Sequence, residues 1–354
     1  MRKQINHILY SRKHKNLHNK NYLSLIQDIE NLYKFNNHSL VLCLDNTGSS
    51  YLGVKNAVLN LFPANTVIIP AYYSNPLISD KQILDLANHI VSLGFKQLVL
   101  GSFPHCFEKL ALEIDKRIVV KTIFHGALSE LHDFDKMKNF MDMIKLCQSG
   151  VISRLGFVKS GLAQWSSSLF KIDACWLQLF SAKSLNKISK FNDGRIHIGV
   201  FGNSTFNKNI TNQIAGALLV PNSVIHCFKS SQYFENLFED RIVLHDHMSH
   251  KDFLNLIGSM NLNLHLSFSE GMGGQTFTES ISLGVPCLTS FNNEYLRKSD
   301  YLSDQLIVQQ YDNPFEISKS IEAILNFDIG DQLIQYSQLM NEEATSLRDM
   351  FLLQ

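Results

Sequence analysis

Residues 260–290 read MNLNLHLSFSEGMGGQTFTESISLGVPCLTS, and this stretch decides the fold. Leu262, Leu264, Leu266 and Phe268 alternate with Asn263, His265 and Ser267, the period-two pattern of a strand. A central parallel strand is ordinarily apolar on both faces, so this one either meets solvent in part or aims its polar face at something. SEGMGG follows, then a helical pattern over residues 275–283 that Gly284 and Pro286 stop. Gly271, Gly273 and Gly274, with Met272 among them, let a backbone approach a ligand closely. The helix start at Gln275 and Thr276 offers unpaired N–H groups and a positive dipole end, which suits phosphate. Glu279 lies inside that helix and is different in kind: it would repel phosphate, yet it can accept hydrogen bonds from vicinal hydroxyls. Glu270, at the strand end, can accept from the hydroxyls of a second group. Acids for hydroxyls at both ends, and a backbone for phosphate between them, describe a sugar nucleotide.

Outward from this stretch, short apolar runs alternate with longer amphipathic ones. Strands are expected at residues 40–44, 66–70, 97–101, 119–124 and 151–157, then at 197–201, 223–228, 241–244, 262–268, 286–289 and 306–309. Residues 81–93, with Ile83, Leu86, Ile90 and Leu93 on one face, typify the helices between them. Such alternation predicts an α/β protein with parallel sheets covered on both sides. One composition shift interrupts it: SAKSLNKISKFNDGR is polar and basic and holds no strand pattern. We therefore expect an N-terminal Rossmann-like domain over residues 1–180, a linker at 181–194, a second such domain at 195–329 and a helical segment at 330–354. Two such domains predict a cleft between the carboxyl ends of their sheets, where open α/β sheets bind ligands.

Bulk composition excludes other classes. Thirty-two basic residues balance thirty-two acidic ones, which argues against a dedicated nucleic-acid binder. The charge is uneven, however: Arg2, Lys3, Arg12, Lys13, Lys15 and Lys20 precede the first acid, Asp28. Such a stretch suits peripheral contact with an anionic membrane surface. Six scattered cysteines without a C-x-x-C pair read as small core residues of a reducing compartment. No apolar run is long enough to span a bilayer and no signal-like start precedes the first strand. A cytoplasmic protein, at most peripheral to the inner face of a membrane, is the expectation.

The segment from the strand through SFSEG, TES and LGVPCLTS resembles the donor-binding signature of GT-B glycosyltransferases, in particular the retaining families with a Glu-x7-Glu motif. The likeness is good over residues 194–290 and weak in the N-terminal half. One departure stands out: eight residues, not seven, separate Glu270 from Glu279, because GMGG carries an additional glycine. The resemblance implies two Rossmann-like domains and sugar transfer from a nucleotide-sugar donor to a hydroxyl of a glycan or glycoconjugate, with no cofactor and no metal ion. It implies that Glu279 binds the donor ribose, that Glu270 contacts the transferred sugar, and that the backbone of residues 271–274 lies near the diphosphate.

Further loops fit that scheme. In HIGVFGNSTFNKNI a strand ends at Phe201, and Gly202, Asn203 and Ser204 lead to Lys208 at the start of a helix. By the resemblance, Lys208 neutralises the leaving diphosphate, while Asn203 stands where an arginine is usual. In VLHDHMSHKDF, His245, His247 and His250 have a spacing reminiscent of metal ligands, but the loop position implies a seat for the nucleotide base, with Asp246 or Ser249 capping the next helix. In the first half, Gly48 sits in a strand–loop–helix segment similar to the glycine loop of acceptor domains. His125, after a strand and before Gly126, suits binding of the transferred sugar or proton abstraction from the acceptor, with Asp45 and Glu130 in reserve. Two other functions share the plan: a sugar-nucleotide 2-epimerase, and a weakly catalytic nucleotide-sugar-binding partner of an active transferase.

Overall fold

The computed structural model describes residues 2–45, 52–72, 75–180, 188–203, 205–229, 238, 240–246, 248–270 and 274–353, with the side chains of 2–18, 52, 72, 75 and 132 also left aside. Of the residues singled out above, Gly48, Ser204, His247, Gly271, Met272 and Gly273 lie outside the described ones, as do the side chains of the basic stretch before Lys20. The chain divides into two compact units, Met1–Gln178 with Leu347–Gln354, and Leu179–Ser346.

The first unit runs α1 (Arg2–Phe35), β1 (Ser39–Leu44), α2 (Leu52–Leu61), β2 (Thr66–Ile69), β3 (Ala71–Tyr72), β4 (Asn75–Pro76), α3 (Asp80–Leu93), β5 (Gln97–Leu100), α4 (His105–Ile114), β6 (Val119–Phe124), α5 (Phe134–Gln148), β7 (Arg154–Phe157), α6 (Ser160–Phe170) and β8 (Ala174–Trp176). Six strands form one sheet in the order β2-β1-β5-β6-β7-β8, and each neighbouring pair is parallel. Helices cover a parallel sheet, which is why SLVLCL in β1 is apolar on both faces and wholly buried. The local signals are ordinary ones. Ser79 and Gln82 make a capping box ahead of α3, and Gly94 closes that helix at φ 89°.

The second unit runs β9 (Ile196–Val200), α7 (Ile210–Leu219), β10 (Ser223–Phe228), β11 (Ile242–His245), α8 (His250–Ser259), β12 (Leu262–His265), α9 (Gln275–Ser282), β13 (Cys287–Thr289), α10 (Asp300–Leu306), α11 (Pro314–Ile324) and α12 (Gly330–Leu352). Its sheet, β11-β10-β9-β12-β13, is parallel throughout. Strand order reverses direction between β9 and β12, and ligands of open α/β sheets bind outside the carboxyl ends of strands at such a point. The loops after these two strands hold Lys208 and Glu270.

Three elements differ from the sequence reading. Residues 306–309, expected as a strand, give only a single bridge, Ile307 to Thr289, because Leu306 still closes α10. The short edge strand β8 and the antiparallel hairpin β3–β4 went unforeseen; strands of two or three residues carry too little alternation to read.

Helix α12 begins in the second unit, and its last residues belong to the first. The first unit grips that end with buried cations. Lys121 on β6 donates to the carbonyl oxygens of Phe351 at 2.8 Å and Leu352 at 3.0 Å, with Nζ 5.6 Å from the Phe351 ring centroid. Arg154 on β7 donates from Nη1 to the Met350 carbonyl at 2.9 Å and from Nε to Asp173 at 2.8 Å. The last carbonyls of a helix lack intrahelical partners and carry the negative dipole end, so cations complement them. Burial, then the Arg154 charge, pushes the Lys121 ammonium down to about 8. A chain ending at Ser346 should leave Lys121 an uncompensated buried charge and lose roughly 3–5 kcal/mol of stability. In a Lys121→Met background the same truncation should cost clearly less, as read from urea midpoints. Equal losses in the two backgrounds would refute the pairing.

Candidate functional site

Two segments lie side by side at the carboxyl ends of β9 and β12. The backbone N–H groups of Phe268 and Ser269 donate to the Asn207 carbonyl at 2.8 and 3.4 Å, and the Asn207 side chain donates to the Ser269 carbonyl. Asn209, at φ 55°, donates to the carbonyls of Leu266 and Tyr311. Gln213 donates to the Lys208 carbonyl and accepts from the Leu266 N–H. From the other side, Asn292 donates to the carbonyls of Ser267 and Phe268, and Ser290 to that of Ser267 at 2.7 Å. The Lys208 and Glu270 loops are thus tied backbone to backbone before their own side chains are counted.

Those side chains meet. Lys208 Nζ lies 2.6 Å from Glu270 Oε2, which also accepts from His265 Nε2 at 2.9 Å and from Ser267 Oγ at 3.3 Å. Glu270 is buried. Burial alone would raise its pKa, but the Lys208 charge and the His265 hydrogen bond outweigh it and hold the carboxyl well below the usual range. The polar face of β12, unexplained in the sequence, is accounted for here: all its residues are buried, His265 and Ser267 serve Glu270, and Asn263 donates to the Ile257 carbonyl and to Ser280. Gly274, at φ 83°, packs against that histidine; a Cβ there would stand 3.0 Å from the His265 ring.

Glu279 lies on the inner side of α9 and is buried. Its Oε1 accepts from His250 Nε2 at 2.7 Å and from Gln275 Nε2 at 3.0 Å. His250 opens α8, whose N-cap is Ser249. The hydrogen bond to Glu279 raises the His250 pKa against the opposing effect of burial. Thr276 is half-buried, as are Gly202 and Asn203, which follow β9 and Phe201. Asn203 accepts a hydrogen bond from Thr205. No group of three or more acidic, histidine or cysteine side chains fit to hold a metal occurs among the described residues.

His245, half-buried at the end of β11, belongs to a chain of imidazoles. His245 Nε2 lies 2.9 Å from His226 Nδ1, His226 Nε2 lies 2.8 Å from His197 Nδ1, and His197 Nε2 lies 2.9 Å from Asp193 Oδ1. The three histidines stand on adjacent strands β9, β10 and β11, and Phe191 stacks on the first two rings at 4.2 and 5.1 Å. Sequence reasoning missed this chain, and missed His250 and His265 as carboxylate partners. The available signal was one histidine in each of three apolar strands, which means little until strand order makes them neighbours.

In the first unit, His125 is buried at the end of β6, and its Nε2 donates to the Gly101 carbonyl at 2.8 Å. Its Nδ1 is buried with no hydrogen-bond partner among the described residues. Burial pushes this imidazole down to about 4. Asp45 pairs with Lys55, and Glu130 lies 3.6 Å from Lys136.

Solved structures match the chain over most of its length. HepE of Anabaena, in complex with UDP and glucose, is similar at 13% identity over 88% of this chain and 100% of that one, with a TM-score of 0.62. A sucrose-phosphate synthase of Thermosynechococcus elongatus is similar at 11% identity over 90% and 98%, with a TM-score of 0.65. An E. coli structure described as trehalose-6-phosphate bound with UDP-2-fluoro glucose is similar at 9% identity over 88% and 98%, with a TM-score of 0.58. No family model and no curated protein matches the chain by sequence. The likeness shows the fold, GT-B with two Rossmann-like α/β domains, as expected from the sequence.

The buried imidazoles give stability a pH dependence. His125 is lowered to about 4 and His226 to about 3 from an ordinary value of 6.5. The unfolded chain therefore binds more protons between about pH 4 and 6.5, so stability rises with pH through that window and falls on acidification. A His125→Asn variant should lose less stability than the parent between pH 7 and pH 5, as read from urea midpoints at each pH. Identical losses would show that His125 does not stay neutral in the folded protein.

Proposed function

We propose that this chain is a glycosyltransferase that moves a sugar from a nucleotide-sugar donor to a hydroxyl of a glycan or glycoconjugate. The observation that carries the reading is the assembly at the end of β12: Glu270 held by Lys208 and His265, with Glu279 nine residues on in α9. On this reading residues 195–329 bind the donor and residues 1–180 serve the acceptor, with 181–194 as linker and 330–354 as a helical segment.

Each group then has a chemical task. Departure of the nucleoside diphosphate takes the electron pair of the anomeric C–O bond onto a phosphate oxygen. Lys208 and the N-terminal end of α9 at Gly274, Gln275 and Thr276 supply fixed positive charge to receive it. That supply is the ground for proposing a metal-independent reaction. Glu279 takes the ribose hydroxyls and Glu270 a hydroxyl of the transferred sugar, and the resemblance of this segment to the retaining families is the ground for proposing retention at the anomeric carbon. For His125 we propose hydrogen-bond acceptance at Nδ1 from a sugar hydroxyl. A pKa near 4 makes it a poor proton abstractor at neutral pH, since effective bases titrate near the working pH.

Nucleotide-sugar turnover with a glycan acceptor, followed by release of the nucleoside diphosphate, tests the assignment. Lys208→Ala should lower transfer by roughly a hundredfold or more, as loss of a charge-stabilising group does elsewhere. Glu279→Ala should act mainly through weakened donor binding, and His125→Ala should lower transfer more modestly. All three should bind or turn over poorly at temperatures well below their melting points, which for Lys208→Ala should fall because buried Glu270 loses its cation. Full turnover in both Lys208→Ala and Glu279→Ala would refute the reading.

No helix among the described residues is long and apolar enough to cross a membrane. We propose that the basic stretch before Asp28 holds the protein against an anionic leaflet on the cytoplasmic side. Each Lys or Arg near such a surface contributes about 1 kcal/mol, screened by salt. Co-sedimentation with phosphatidylserine vesicles at low salt, lost at high salt, is the expected result; no co-sedimentation at low salt would end the suggestion.

A further inference from the structure

The chain from Asp193 to His245 has a direction. A carboxylate only accepts hydrogen bonds, so His197 Nε2, 2.9 Å away, carries a proton. Each N···N contact, at 2.8 and 2.9 Å, holds one proton between two nitrogens. With His197 neutral, its Nδ1 is a lone pair and accepts from His226 Nε2–H. His226 Nδ1 is then a lone pair and accepts from His245 Nε2–H. The remaining ring position, His245 Nδ1, is therefore a lone pair as well. The hydrogen bonds of His197 and of the Arg195 backbone and side chain hold Asp193 well below the usual carboxylate range. Burial, then the neighbouring imidazoles, pushes His226 down to about 3, so the central imidazole of the chain is neutral at neutral pH. His197 and His226 are buried, and Phe191 lies over both rings, so water has little access to compete for these bonds.

The place of His245 gives that lone pair a use. It ends β11, and His250, at the start of the following α8, touches Glu279. A ribose held by its 2′ and 3′ hydroxyls at Glu279, with its 5′ phosphate toward Lys208, has its base directed away from the phosphate. His250 opens α8, and its contact with Glu279 sets the start of that helix, and with it the end of β11 at His245, beside the ribose and its base. We propose that Asp193, His197 and His226 are positioning residues that fix the tautomer of His245. Its Nδ1 then accepts from the ring N–H of the donor base and selects the imide of uracil or thymine over cytosine. Cytosine presents a lone pair at the same ring position, and two facing acceptors repel. This inference rests on the nucleotide-sugar reading above and goes beyond it by naming the class of base.

Nitrogen-15 NMR of the free protein reads the tautomer, and calorimetry with UDP and CDP reads the selection. Expected are an unprotonated Nδ1 on His245 and UDP bound about tenfold or more tighter than CDP, the order for one hydrogen bond against an unpaired acceptor. Asp193→Ala should bring the UDP to CDP ratio toward one while thermal melting stays close to the parent's, because Asp193 is partly exposed. Asp193→Glu, which keeps the carboxylate, should restore much of the ratio. A proton found on His245 Nδ1, or an unchanged ratio in Asp193→Ala with UDP still bound, would overturn the inference alone. Failure of the parent protein to bind UDP or any nucleotide sugar would overturn the functional reading with it.

Discussion

A carboxylate buried at the end of a parallel strand is the constraint around which the second unit is built. Taking an ionised carboxyl out of water costs several kcal/mol unless charge and hydrogen bonds replace the lost hydration. Glu270 receives Lys208, His265 and Ser267. Meeting that demand fixes much else. Lys208 must sit at the end of β9, so β9 and β12 must be neighbours, and the loops after them must be joined by Asn207, Asn209 and Gln213. The polar face of β12 is the cost of holding the acid, and it explains why this strand alternates where β1 does not.

The same rule operates at other points where polar groups enter these sheets. In the first unit, Lys121 and Arg154 interrupt apolar strands and are answered by the last carbonyls of α12. In the second, three histidines enter three adjacent strands and answer one another, with Asp193 closing the series. A buried polar group left unpaired costs more than a paired one gains, so such residues specify their neighbours more sharply than any leucine does. His125 Nδ1 and Asn263 Oδ1 break the pattern, both buried without a hydrogen-bond partner among the described residues. An unmatched acceptor at the end of a strand is a standing cost to the fold, and that cost is reasonable where a ligand hydroxyl supplies the missing donor.

Helix and strand positions were legible because their signals are local. SLVLCL, QLVL and SVIHCF carry the apolar runs of buried strands, and Ser79 with Gln82 marks a helix start unaided. The stretch over residues 260–290 was legible in more detail because strand, glycine loop, helix and stop signal follow in unbroken order. What the sequence hid depends on strand order. His197, His226 and His245 are separated by 29 and 19 residues, and nothing local joins them. His250 read as one member of a histidine-rich loop, and its hydrogen bond to Glu279 reaches across 29 residues to another helix. Lys121 likewise lies 230 residues from the carbonyl it holds. Short edge strands such as β8 were lost for a different reason, having too few residues to show a period.

The additional residue between the two glutamates looked, in the sequence, like a reason to doubt Glu270. The contacts show what holds each acid in place. Lys208, His265 and Ser267, all outside residues 271–273, hold the Glu270 carboxylate, and Asn292 and Ser290 fix the backbone before it. The start of α9 is held against β12. Gly274 packs on the His265 ring at a φ that only glycine takes without strain, and its carbonyl accepts from Thr278 N–H. Both ends are therefore referenced to β12. Spacing in sequence is thus a weaker guide to these two acids than the histidine that stands against both ends of the loop.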